Sequence, residues 1–122
     1  MNRWVRFLSA MVILVAAIGG GLLYLKYSRR AREDVLKQDL RTMREAIDKY
    51  TMDRQEAPQS LDDLVRAHYI RKIPIDPVCQ QMDWNSHFGE SVLSPEKKTT
   101  GLDDVSSGCR KVGSNGTAYN TW

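Results

Sequence analysis

No proline occurs before Pro58, and no charged residue falls between Phe7 and Leu25. The first absence removes the commonest reason for a helix to stop. The second excludes an ordinary surface helix, which needs a polar face. Cysteine is scarce as well. Cys79 and Cys109 are too few for a disulfide-dense scaffold, and neither His68 nor His87 stands at metal-ligand spacing from either of them. Also missing is any one-sided charge in the polar part. The net charge is +3, but Arg3, Arg6 and Lys26 flank the uncharged run; from Ser28 onward 15 Lys and Arg face 15 Asp and Glu. Phosphate binding needs a basic footprint that this balance does not supply, so nucleic acid is excluded as a partner. The 122 residues give room for one domain with a small core.

What is present is a single organising segment, Phe7 to Tyr50. At about 1.5 Å per residue, the uncharged run Phe7–Leu25 just spans a hydrocarbon core roughly 30 Å thick. Its end reads Leu-Leu-Tyr-Leu-Lys-Tyr instead of a small-x-small cleavage site, which favours an anchor that stays over a signal that is removed. Trp4, Tyr24 and Tyr27 stand at its two ends, where aromatic rings favour the headgroup layer. Beyond a charged collar from Ser28 to Asp34, apolar residues recur at Leu36, Leu40, Met43, Ile47 and Tyr50, in alternating four- and three-residue steps. They form one stripe on a helical face. It is expected to pack on the chain's own domain, and the same geometry permits assembly with a neighbouring copy.

The rest of the chain predicts smaller elements. Pro58 follows the long helix, and Ser60 with Asp62 and Asp63 starts a short second helix over 60–68. Pro74-Ile-Asp-Pro77 fixes an extended connection. From Val78 to Trp122, short strands are expected around Met82 to Trp84, around Val92 and Leu93, and around Leu102 to Val105, with Ser94 to Gly101 as a turn. The sum is an α+β fold in which a long N-terminal helix, its first half spanning a membrane, packs against a small antiparallel sheet. The expected organisation is a span over 1–27 and a domain over 28–122, made of a helix over 28–54, a short helix over 60–68 and a loop-rich sheet over 78–122.

The two cysteines lie in the loop-rich half. They read as one bridge in an oxidising compartment, with two separate buried thiols as the alternative. Closing that loop would stabilise the fold by about 3.5 kcal/mol on the chain-entropy scale. Orientation is pulled both ways, because Lys26, Arg29, Arg30 and Arg32 outnumber Arg3 and Arg6 and would hold the C-terminal part in the cytoplasm. No catalytic constellation is expected. Asp62 and Asp63 read as a helix start, His68 as a packing residue, and Ser106 and Ser107 have no histidine nearby in sequence.

Three blocks, Leu36-Lys-Gln-Asp-Leu-Arg-Thr-Met-Arg-Glu-Ala-Ile-Asp-Lys-Tyr50, Pro58-Gln-Ser-Leu-Asp-Asp-Leu64 and Tyr69-Ile-Arg-Lys-Ile-Pro-Ile-Asp-Pro77, are similar in order and spacing to the G-type major pseudopilins of type II secretion and to related type IV pilins. Asp104-Val-Ser-Ser-Gly108 and Asn115-Gly-Thr-Ala-Tyr-Asn-Thr-Trp122 resemble that family's closing loop and terminal aromatic signature. The resemblance implies a pilin-like structural subunit and no enzyme. Such a subunit sits in the bacterial inner membrane by one helix, carries its domain in the periplasm, and is extracted into a filament with other pilin-like subunits by an inner-membrane assembly platform. It also settles orientation in favour of the oxidising side.

The sequence departs from the family's pattern in three places. Met1 to Phe7 holds no basic leader ending in glycine, so processing and N-methylation are not expected. The glutamate of the family's membrane helix has no counterpart between Phe7 and Leu25. Arg110 stands where the family's calcium loop has an aspartate, leaving Asp103, Asp104 and Asn115 as the oxygen donors for a calcium ion, with the Cys79–Cys109 bridge stapling that loop in its place. An unprocessed, membrane-anchored adaptor that binds other secretion or pilus components without polymerising is the alternative these departures favour.

Overall fold

The computed structural model describes residues 2–122 and is an α+β arrangement, a long N-terminal helix packed with a small antiparallel sheet. Helix α1 runs Arg3–Arg54, α2 runs Leu61–Arg66, strand β1 is Trp84–Ser94, strand β2 is Lys97–Ser107, and a 3-10 turn covers Tyr119–Thr121. The residues divide into two compact units, one ending at Ala31 and the other being Arg32–Trp122.

In the first unit the absence of proline leaves the helix unbroken, even across Gly19, Gly20 and Gly21. Glycines in a helix cost about 0.5–1 kcal/mol each relative to alanine in water. In hydrocarbon every backbone group must find its partner within the segment, and the helical ladder supplies it. At the far end α1 stops where Gln55 turns left-handed (φ 59°) and its side-chain amide donates to the Met52 carbonyl at 2.8 Å.

In the second unit, the stripe Leu36, Leu40, Met43, Ile47 and Tyr50 meets Leu61 and Leu64 of α2, Leu102 and Val105 of β2, and Tyr119 in one buried cluster. Leu36, Leu64, Leu102 and Val105 are 0 % exposed. The five residues singled out as an assembly surface are therefore the domain's own core, and a neighbouring copy would have to meet a different face. Tyr50 and Tyr69 close the cluster's edge with ring centroids 5.4 Å apart.

Helix α2 begins as expected: the Asp63 carboxylate accepts from the backbone N–H of Gln59 (2.9 Å) and of Ser60 (3.1 Å). It ends sooner, at Arg66, because His68 is left-handed (φ 64°).

The sheet differs from the three short strands expected. It is a single hairpin of two 11-residue strands. The turn is only Pro95-Glu96, because Ser94 already faces Lys97. Lys97 to Gly101, read as turn from their polarity, pair instead with β1, and Lys98 Nζ reaches Glu90 Oε1 at 2.7 Å. Between His87 and Phe88 the register shifts, leaving Asp103 without an opposite residue. That bulge explains an otherwise forbidden burial pattern. Leu102 and Val105 are three apart and would point to opposite faces of a regular strand, yet the extra residue returns both to the core. The Asp103 side chain lies over Gly89, where any Cβ would clash.

Candidate functional site

The first unit offers a surface. Trp4, Phe7, Ile13, Leu14, Ile18, Leu22 and Leu23 are all exposed, and within α1 an 18-residue window with mean hydropathy 2.2 has no buried residue. One helix is thus long and apolar enough to cross a membrane. An apolar surface of this extent marks an interaction site for lipid or protein.

The second unit holds two carboxylates that the sequence reading left among solvated or connecting residues. Glu33 is 3 % exposed on α1; it accepts from the Ser114 N–H (2.8 Å), from the Ser114 hydroxyl and from the Tyr119 hydroxyl (2.6 Å). A buried carboxylate is tolerated only with such a donor set. Here the donors come from the closing loop, so Glu33 ties residues 114–119 to the helix. Asp76 is 1 % exposed and does the same for the preceding loop, accepting from the N–H groups of Val78 (2.8 Å) and Cys79 (3.1 Å) and from the Ser107 hydroxyl. The Ser107 hydroxyl in turn accepts from the Cys109 N–H at 3.0 Å.

A Cys79–Cys109 disulfide, with Cα atoms 5.8 Å apart, crosses the same place. The loop before β1 is therefore joined twice to the far end of the hairpin, by a covalent bridge to Cys109 and by one buried acid to Ser107, the last residue of β2. Arg44 makes a third tie: Nε meets Asp104 Oδ1 at 2.7 Å, and Nη2 donates to the carbonyls of Val105 and Trp122, both at 2.9 Å.

The three oxygen donors proposed for calcium are each placed apart in function. Asp103 is the bulged residue over Gly89. Asp104 is engaged by Arg44, and the Asn115 side chain accepts from the Thr117 N–H (3.0 Å) and hydroxyl (2.8 Å). Among the described residues no group of three or more His, Cys, Asp and Glu is positioned to hold a metal ion.

The hairpin does bring a histidine to a serine that has none nearby in sequence: His87 Nε2 lies 2.9 Å from Ser106 Oγ. Ser106 is 5 % exposed, closed to the approach a nucleophile requires. Asp39 and Tyr69 titrate away from their ordinary ranges. Burial, and then the charge of Asp76, raise the Asp39 carboxyl. Loss of water and then the hydrogen bond to Asp53 (3.0 Å) raise the Tyr69 phenol.

Comparison with protein-family models, with curated proteins and with solved structures finds no match to this chain.

Glu33, Arg44 and Asp76 are not singled out by the sequence reading. The signal for Asp76 is its place between Ile75 and Pro77, an aspartate amid apolar and rigid neighbours. Glu33 lies three residues before Leu36, in line with the core stripe, which is the spacing that buries it.

Proposed function

We propose that this chain is a structural, non-enzymatic subunit held in a membrane by the first part of α1, with its disulfide-bonded domain on the oxidising side, assembling into a type II secretion pseudopilus or type IV pilus-like filament through that helix. In a bacterial cell this means the inner membrane, with the domain in the periplasm. What carries the reading is one observation: a fully exposed, uncharged run from Phe7 to Leu25 continues in the same helix into a segment that forms the core of an α+β domain. A helix so apolar all round can bury its surface only in lipid or against similar helices. The disulfide supports the oxidising compartment.

A photo-crosslinking residue at Ile18 of the full chain tests this. Homotypic adducts along a ladder of sizes are expected, together with retention in the membrane fraction at alkaline pH. Release into the soluble fraction would refute the anchor.

The adaptor reading is favoured by a separate observation. The stripe from Leu36 to Tyr50 is consumed inside the domain, and no carboxylate lies between Phe7 and Leu25 to pair with a neighbour's amino group. Crosslinks from Ile18 that reach only other membrane proteins, never a second copy, would decide for it.

A further inference from the structure

The hairpin's two outer edges are finished differently. Along β2 the edge is covered by residues 57–59: the Leu102 N–H donates to the Pro58 carbonyl at 2.7 Å, the Thr99 hydroxyl accepts from the Ala57 N–H at 2.9 Å, and the Gln59 amide donates to the Thr100 carbonyl at 3.1 Å. Along β1 no backbone group is covered, and apart from β2 the strand meets another segment at its start, where the Trp84 indole N–H donates to the Pro74 carbonyl at 2.8 Å. Among the described residues, no backbone hydrogen bond joins 84–94 to anything except β2. In an antiparallel strand about half the N–H and C=O groups face away from the partner, so β1 presents a long unpaired row.

Such an edge is a template for another strand, and proteins usually blunt it with proline, lysine or a bulge. β1 contains no proline or lysine, and its single charged residue, Glu90, is engaged by Lys98. The extra residue at the first bulge lies on β2, so β1 runs regularly from Trp84 to Val92.

A second observation concerns the face of the sheet. Phe88 is paired with Leu102 and so shares its core-facing side, yet Leu102 is 0 % exposed and Phe88 is 60 % exposed. Val92, two pleats along on the same side, is 66 % exposed. Along the open edge this face thus carries two apolar side chains that the domain leaves uncovered, Phe88 and Val92, with the Glu90–Lys98 ion pair between them.

We infer that this edge joins two copies of the chain, β1 against β1, antiparallel and centred on Phe88. A two-fold axis through such a pair lets one residue face itself and fixes every other pairing. Centred on Phe88, the two phenyl rings meet, Trp84 faces Val92, and Ser86 faces Glu90. Centred on Glu90, two carboxylates oppose each other. Centred on Gly89, Phe88 faces Glu90 and Val92 faces Ser86. The Phe88 register alone sets apolar against apolar at each large side chain and offers each carboxylate a hydroxyl, which is how cross-strand pairs stabilise a sheet. It also closes. The product is a four-stranded sheet whose two outer edges are both β2, each already covered by residues 57–59, so pairing stops at a dimer. The inference stands on the sheet edge and holds whether or not the apolar helix enters a filament.

The test uses the full chain in membranes or detergent. The described cysteines are both bridged, so an added thiol stands alone. Paired Cα atoms in an antiparallel ladder lie about 4.5–5.5 Å apart, inside the disulfide range, whereas the two copies of position 92 would lie about 27 Å apart in this register. Mild oxidation of F88C is expected to give a covalent dimer and that of V92C to leave monomer. F88K, at an exposed position, is expected to lose the chemically crosslinked dimer while the melting temperature of the domain stays where it was. A monomer at F88C, equal dimer at F88C and V92C, or adducts of F88C with other proteins alone would each overturn the pairing.

Discussion

Residues 3–31 and 32–54 belong to one helix and differ in only one respect that matters, the arrangement of apolar side chains around the axis. In the first stretch they occupy the whole circumference and all are exposed; in the second most of them occupy one buried stripe, with Val35 and Met52 exposed off it. Helix continuity follows from the backbone, since no residue before Gln55 interrupts the ladder. Burial follows from the pattern. One unbroken element thus carries two kinds of surface, with the assignment written residue by residue in side-chain placement.

The sharpest way to probe this contrast is to make the same truncation on both sides. Leu36→Ala opens a cavity in a core position with no exposure and is expected to cost about 2–5 kcal/mol. Leu14→Ala, on the exposed apolar surface, should leave the domain's denaturant midpoint unchanged. Equal shifts for the two variants in a urea titration of the full chain followed by near-ultraviolet circular dichroism would erase the distinction. Next in size is the bridge. Replacing both Cys79 and Cys109 by serine should destabilise the domain by about 3.5 kcal/mol, read from the same titration, because the crosslink spans 30 residues of sequence. Helix content over 3–31 should not respond.

Smaller effects sharpen the comparison from the domain's side. Tyr119→Phe removes one of the donors to buried Glu33 and is expected to cost about 1–3 kcal/mol, since the carboxylate stays buried with one donor fewer. The smallest expected effect concerns Asp39. Its pKa is raised in the folded state, so the native protein binds a proton more readily than the unfolded chain does, and ionisation of Asp39 weighs against the fold above that raised value. The stability it contributes is fully present below the unfolded value of 3.8 and lost as pH rises through the folded one. Asp39→Asn should therefore melt slightly higher than the parent at pH 7 and lose the parent's gain on acidification. A flat difference between the two from pH 7 down to pH 4 would show that Asp39 is not the group involved.

Much of this was legible in the sequence because it depends on local or periodic signals. The uncharged run, the stripe from Leu36 to Tyr50, the start of α2 at Ser60 and the long helix packed on a small antiparallel sheet all follow from spacing within a few helical turns. The pairing of Lys97 to Gly101 did not, since those residues are polar and become a strand only because Gly89 to Ser94 lie opposite. Nor did the consequence of the bulge, which depends on a register that no single strand encodes. The buried acids were hidden for the same reason. Glu33 looks like one more charge in a wet collar until Ser114 and Tyr119 arrive beside it, and His87 meets Ser106 only across the hairpin.

The tie between Glu33 and the closing loop spans 81 residues to Ser114 and 86 to Tyr119. Synthesis runs from the other end, so the carboxylate emerges from the ribosome long before its donors exist. Until Tyr119 has been made, the helix beyond Arg32 has an uncovered apolar stripe, and Glu33 lacks the hydroxyl and N–H donors of the closing loop. The domain's core therefore closes only once nearly the whole chain has been made, as a late, long-range step of folding.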